Sequence, residues 1–154
     1  GAVSPATATA VYGVVLDGSP AGYDAARTEV VRADALRARR GDAAERPPAP
    51  SGRRVPLTDT VDLVRTSEGD VSVCRHCDRV VAAASVDWRD GARRSVRNLG
   101  DWAASAGMWI QRRDDTDLVE LSCPSCGVLL ETTINAPHRL SEVDFATERL
   151  RVLR

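Results

Sequence analysis

The residues with the most chemistry to offer are the cysteines. All four fall in two pairs, Cys74-Arg75-His76-Cys77 and Cys123-Pro124-Ser125-Cys126, and Gly127 follows the second. Two residues between thiolates let one tight turn aim both sulfurs at one ion. Two such turns make a complete tetrahedral set at about 2.3 Å, the donor shell of structural zinc. Pro124 pre-sets φ in the second turn, and Gly127 accepts the positive φ with which the chain leaves it. Four thiolates leave no ligand position for water, so the ion they predict is a structural one and not a Lewis acid. Buried thiols or a disulfide are the bland alternatives, and rubredoxin-type iron uses the same turns. His76 lies inside the first turn, but the shell closes without it. The pairs are separated by residues 78 to 122, more than the roughly 15–20 residues of a minimal ribbon, so a substantial insertion is expected.

The elements that must position these turns follow from local patterning. Val61 to Arg65 and Asp70 to Val73 are expected strands around a Glu68-Gly69 turn, the second leading into the first cysteine turn. Val80 to Trp88 is expected to resume as a strand. Ala92 to Gly107 patterns as a helix, with Val96, Leu99, Trp102, Ala103 and Ala106 on one stripe. Leu118 to Leu121 leads into the second turn and Val128 to Ile134 leaves it. Upstream, Ala8 to Leu16 is rich in β-branched residues and stops at Asp17-Gly18-Ser19-Pro20, which predicts a short strand and a turn. Asp24 caps an expected helix through Arg40, whose stripe is Ala26, Val30, Ala33 and Leu36 and whose partner surface the segment itself does not contain. Residues 41 to 54 carry Pro47, Pro48 and Pro50 without apolar periodicity and are expected to form a semi-extended linker. Ser141 is an expected helix cap, with the chain expected to end as a short docking helix or a frayed tail. The expected fold is small α+β: zinc-ribbon-like β hairpins with a helix-bearing insertion, preceded by a strand-helix tail and a Pro-rich linker. The expected domains are 1–40, the linker 41–56 and the zinc-binding unit 57–154.

Composition narrows the function. Formal charge is −1, so the long-range field that draws a protein to nucleic acid or anionic lipid is missing. All 21 basic residues are arginine, a bias attributable to a GC-rich genome. No apolar run reaches the roughly 20 residues of a membrane span, and the expected location is the reducing cytoplasm, where paired cysteines serve metals. Aromatic residues are scarce and avoid the middle of the chain, which predicts little core there. The chain opens on Gly1 and its single methionine is Met108, as expected of a processed chain or a piece of a longer one. Trp88, Trp102 and Trp109 are expected to fill the insertion's core or meet a partner. Arg53-Arg54, Arg93-Arg94 and Arg112-Arg113 read as solvated or interface faces, and Asp114 and Asp115 as exposed loop carboxylates. His138 is an expected solvated loop residue.

The stretch from Leu57 to Phe145 resembles the small gamma subunit of acetone and acetophenone carboxylases. The residues that carry this are Cys74-Arg75-His76-Cys77, Asp87-Trp88-Arg89, the run Glu120-Leu121-Ser122-Cys123-Pro124-Ser125-Cys126-Gly127-Val128-Leu129-Leu130-Glu131, and Asp144-Phe145. Residues 1–40 are similar to the C-terminal end of hydantoinase B and oxoprolinase B subunits, through Val3-Ser4-Pro5, Val11-Tyr12-Gly13-Val14-Val15-Leu16-Asp17 and the helix from Asp24 to Arg40. These resemblances imply a non-catalytic structural or assembly part of a multi-subunit ATP-dependent carboxylase or cyclic amide hydrolase. Its partners would be hydantoinase A-like and hydantoinase B-like large subunits, which would hold ATP and Mg2+ or Mn2+. No catalytic residue carries over to this chain; the metal role does, at Cys74, Cys77, Cys123 and Cys126. A nucleic-acid-binding zinc ribbon and a rubredoxin-like electron carrier are the alternatives.

Overall fold

A computed structural model describes residues 3–20, 22–42, 44–83, 85–108 and 116–135. The chain opens with α1 (Pro5–Tyr12) and α2 (Ala25–Arg40). The strand expected over residues 8–16 is therefore a helix through Tyr12, followed by extended chain in which Leu16 bridges Tyr23. Its start and stop signals outweigh the β-branched content: the Ser4 hydroxyl accepts from Thr7 N at 3.1 Å, Pro5 opens the first turn, and Gly13 ends it at φ 59. Such caps satisfy the orphan amides and carbonyls of a short helix. The α2 boundaries are as expected, with Asp24 accepting from Arg27 N at 2.9 Å. Its inward face is not. Ala26, Val30 and Ala33 are exposed, and the covered positions are Thr28, Val31, Ala35, Leu36 and Arg39. Thr28 Oγ1 accepts from Val15 N at 3.0 Å, so the helix is seated by polar bonds that an apolar period does not register.

Four strands, β1 (Arg53–Pro56), β2 (Val61–Arg65), β3 (Val71–Cys74) and β4 (Val80–Ala83), form an antiparallel sheet in sequence order. Residues 53–56, expected within the linker, thus form the edge strand β1 on β2. Pro48, within the linker, bridges Arg79. The strand expected to reach Trp88 stops at Ala83, and Asp87 caps the single turn α3 (Trp88–Gly91) by accepting from Arg89 N.

The helix expected from Ala92 to Gly107 is split. Its first half is β5 (Arg93–Asn98) and its second is α4 (Leu99–Ser105). The division falls at Asn98, whose side chain caps α4 through Asp101 N at 3.0 Å. Upstream of that cap, β5 pairs along its length with β6 (Asp117–Ser122), which pairs in turn with β7 (Leu129–Asn135) in a second antiparallel sheet. A remote partner supplies that ladder, so local periodicity cannot see it.

The two sheets meet over a core of Val61, Val81, Trp88, Val119, Leu121 and Leu130, into which Cys74 and Cys123 are built. Contrary to the composition-based expectation, the middle of the chain supplies much of it. Val61, Val64, Val73 and Val81 are fully buried, because β-branched residues on a pleated sheet fill the space that aromatics would otherwise fill. Thr60 Oγ1 ties the sheets together by donating to Leu130 O at 2.9 Å. The other face of the second sheet lies under the helices. The helix expected from Ser141, Trp109 and the loop residues Arg112, Arg113, Asp114, Asp115 and His138 lie outside the described residues. No described helix is long and apolar enough to cross a membrane.

Candidate metal centre

Each cysteine pair sits where one strand turns into the next, β3 into β4 and β6 into β7. The turns are closed identically. In the first, Asp78 N donates to Cys74 O and Cys74 N to Arg79 O, both at 2.9 Å. In the second, Gly127 N donates to Cys123 O and Cys123 N to Val128 O, again at 2.9 Å. The residue after the second cysteine is left-handed in each, φ 58 at Asp78 and φ 76 at Gly127. Backbone amides then point at sulfur: those of His76 and Cys77 at Cys74, and those of Ser125 and Cys126 at Cys123. Ser125 N lies 3.4 Å from Cys123 Sγ. Such donors stabilise thiolate, the form that binds metal.

The two knuckles face each other, and all four Sγ atoms lie within 4.8 Å of one another. Cys77 to Cys123 is 3.7 Å and Cys74 to Cys126 is 4.0 Å. These are far beyond the roughly 2.05 Å of a disulfide, and they match the edge of about 3.8 Å of a sulfur tetrahedron with 2.3 Å metal–ligand bonds. The four cysteines singled out by spacing are thus brought to one point that can hold a metal ion. His76 is exposed and outside the cluster.

Crowding thiols in this space separates the protonation of Cys74, Cys123 and Cys126. A hydrogen bond from Cys74 holds Cys123 down to about 5, helped against its burial by the amides of Cys126 and Ser125. Cys74, the donor in that bond and itself desolvated, is pushed up. Burial raises Cys126 to about 12. A cation relieves this by replacing the shared protons with charge at the centre.

The surroundings of the knuckles differ. Arg75 and His76 at the tip of the first are exposed, and its flank is an ionic chain in which Arg54 pairs with Asp78 and with Asp62, and Arg75 Nε lies 3.4 Å from Asp62. The second is covered. Pro124, Ser125 and Gly127 are buried, and the C-terminal turn of α2 rests on them. A Cβ at Gly127 would stand 2.0 Å from Leu36 O. Ser125 Oγ accepts from Arg46 N at 3.1 Å, and Arg93 Nη1 donates to Arg40 O at 2.8 Å. The partner surface that the α2 sequence lacks is thus supplied in part by the second knuckle.

Two features of the centre went unread in the sequence. Asp78 takes the position that Gly127 takes in the other knuckle, and aspartate is among the few residues that visit this conformation readily. Alignment of the two motifs on their cysteines would have shown it. The other is a clasp from the insertion: Arg89 reaches Glu131 with Nε to Oε1 at 3.1 Å and Nη2 to Oε2 at 2.6 Å, while its guanidinium lies 4.8 Å over the Trp88 ring. The short helix after β4 is thereby tied to the strand leaving the second knuckle. Among known proteins, no family model and no curated sequence matches this chain.

Proposed function

We propose that this chain is a zinc-binding assembly module of a multi-subunit ATP-dependent enzyme, of the acetone/acetophenone carboxylase type or the hydantoinase/oxoprolinase type, and that it works by shape rather than by catalysis. The observation that carries this reading is the closed four-sulfur cluster built into the core between two sheets. Cys74, Cys77, Cys123 and Cys126 would hold the ion, which supplies cross-linking charge and leaves no position for substrate. The sequence resemblance supplies the type of complex, and among the described residues that carry it the knuckles, Trp88 in the core between them, and Arg89 clasped to Glu131 lie together. The exposed tip of the first knuckle, with Arg75 and His76, is the part of the centre open to a partner. Nucleotide, divalent cation and reaction chemistry belong to the large subunits.

The test is purification of the chain at native abundance from its own cells. The expected result is colourless protein with one zinc per chain, accompanied by hydantoinase A-like and B-like chains. A red iron-thiolate spectrum overturns the metal assignment. Retention on nucleic acid with a steep salt dependence, and no large partner chains, overturns the assembly role in favour of a nucleic-acid-binding ribbon.

A further inference from the structure

The outer strand of a sheet turns N–H and C=O groups outward, where another chain can pair with them, and proteins blunt such edges with charge, proline, bulges or covering chain. The two sheets have four edges, and three are blunted in these ways. On the first sheet, β1 has four residues, of which Arg53 and Arg54 are charged and Pro56 lacks an N–H. At its other edge, the pairing of β4 slips between Ser72 and Val73 of β3. That edge is also covered: Val80 N donates to Pro47 O at 3.0 Å, and Gly91 lies so close to Val81 O that a Cβ would not fit. On the second sheet, β5 carries Arg93, Arg94 and Arg97 among its six residues.

The fourth edge, β7, is treated differently. At seven residues it is the longest strand described. Its first part is closed, because Leu130 O accepts from Thr60 Oγ1 at 2.9 Å. Glu131, its single charge, is held by Arg89. Beyond it, Thr132, Thr133 and Ile134 are exposed, Ile134 to 60%. All three are uncharged and β-branched, the type that packs best against a neighbouring strand. Among the described strands none lies outside β7, where the sheet order ends.

We propose that this edge pairs with the same edge of a second copy of the chain, antiparallel about a two-fold axis at Thr133, to give one sheet in the order β5-β6-β7-β7-β6-β5. The register follows from the edge itself. The stretch beyond the Thr60 bond runs from Glu131 to Asn135, and Thr133 is its middle residue. Across the axis Thr133 then meets its own copy, Thr132 meets Ile134, and Glu131 meets Asn135. Strand alternation is consistent with this. Thr132 and Ile134 lie opposite Glu120 and Leu118 on one face of the sheet, and Glu131, Thr133 and Asn135 lie opposite Leu121, Val119 and Asp117 on the other. The central pairs are β-branched, and the carboxylate faces a neutral amide. An axis at Thr132 would press Ile134 against Leu130, where Thr60 closes the edge, and an axis at Glu131 would oppose two carboxylates. A second copy fits because the stretch is complementary to itself. Pairing leaves only the arginine-bearing β5 at each end of the joined sheet, so association closes at two. The assignment rests on the edge alone and does not depend on the chain's place in any complex.

Sedimentation velocity of the full zinc-loaded chain tests it. Five residues a side make a small interface, so the expected result is a monomer–dimer equilibrium with a dissociation constant of about 100 µM or below. Thr133→Lys and Thr133→Glu each set like charges against themselves at the axis, and each should weaken the dimer by about fivefold or more. An equimolar mixture of the two should pair again, because opposite charges then meet. Zinc content should be unchanged in both variants, since Thr133 is exposed. A chain that stays monomeric up to about 500 µM overturns the proposal. So does a dimer that both variants retain, since another surface would then hold it, and so does a mixture that associates no more tightly than either variant alone.

Discussion

The two cysteine knuckles share one backbone and live in opposite environments. Each closes with the same pair of 2.9 Å hydrogen bonds and each exits through a left-handed residue. Yet the first presents Arg75 and His76 to solvent, while the second is buried under the end of α2. Aiming two sulfurs at one point explains what is common. What differs is set by the neighbour: Asp78 has room for a side chain and uses it to hold Arg54, whereas Gly127 has a carbonyl where its Cβ would be. A glycine after a metal knuckle therefore reports two constraints at once, conformation and contact, and only the comparison separates them.

The largest effect is expected where the knuckles act together. Cys123→Ser should abolish stoichiometric zinc and with it the cooperative thermal transition, because structural zinc contributes on the order of 10 kcal/mol of apparent binding energy in small domains. Retention of a cooperative transition without metal would show that the sheets hold the knuckles together unaided. Acid should follow the same direction. Without metal, Cys74 and Cys126 keep their protons at neutral pH, Cys126 up to about 12, whereas Cys123 is a thiolate down to about 5. Loading an ion must expel at least those two protons, so affinity should fall by about a hundredfold or more per pH unit on acidification, measured by competition with a chromophoric chelator.

Next in size is the exchange of the exit residues. Gly127→Asp should cost about 2 kcal/mol or more, combining a strained conformation with displacement of Leu36, and should speed amide exchange through α2. Asp78→Gly should stay within about 1 kcal/mol, since relief at φ 58 offsets the loss of an exposed ion pair. Equal effects at the two positions would break the comparison. A comparably small change is expected of Ser125→Ala, which removes the acceptor for Arg46 N and should cost about 1 kcal/mol in thermal denaturation while leaving zinc content intact.

Each cysteine pair was legible because its logic is local, spacing alone bringing two sulfurs to one side of a turn, and the two pairs do meet in one cluster that could hold a metal. The strands flanking the knuckles and the cap of α2 were legible for the same reason. The misread elements were those that long-range partners decide. Residues 93–98 carry a periodicity compatible with a helix and became a strand because β6 was there to pair with. Residues 5–12 went the other way, since Ser4, Pro5 and Gly13 bracket a helix that β-branched content obscured. Valine, not aromatic residues, built the core of the middle segment.

The paired sulfurs that meet across the centre, Cys77 with Cys123 and Cys74 with Cys126, are 46 and 52 residues apart in the chain. Each knuckle is a local turn that can form in microseconds and offer two ligands, but the site exists only after the long loop between them has closed, the slow and entropically costly event. Nascent chain emerging from a ribosome would carry a half-site for many residues of synthesis before its complement appeared. An ion held by all four sulfurs would thus be a clock for completion: its four-coordinate binding would certify that β6 and β7 have been made and have found the first sheet.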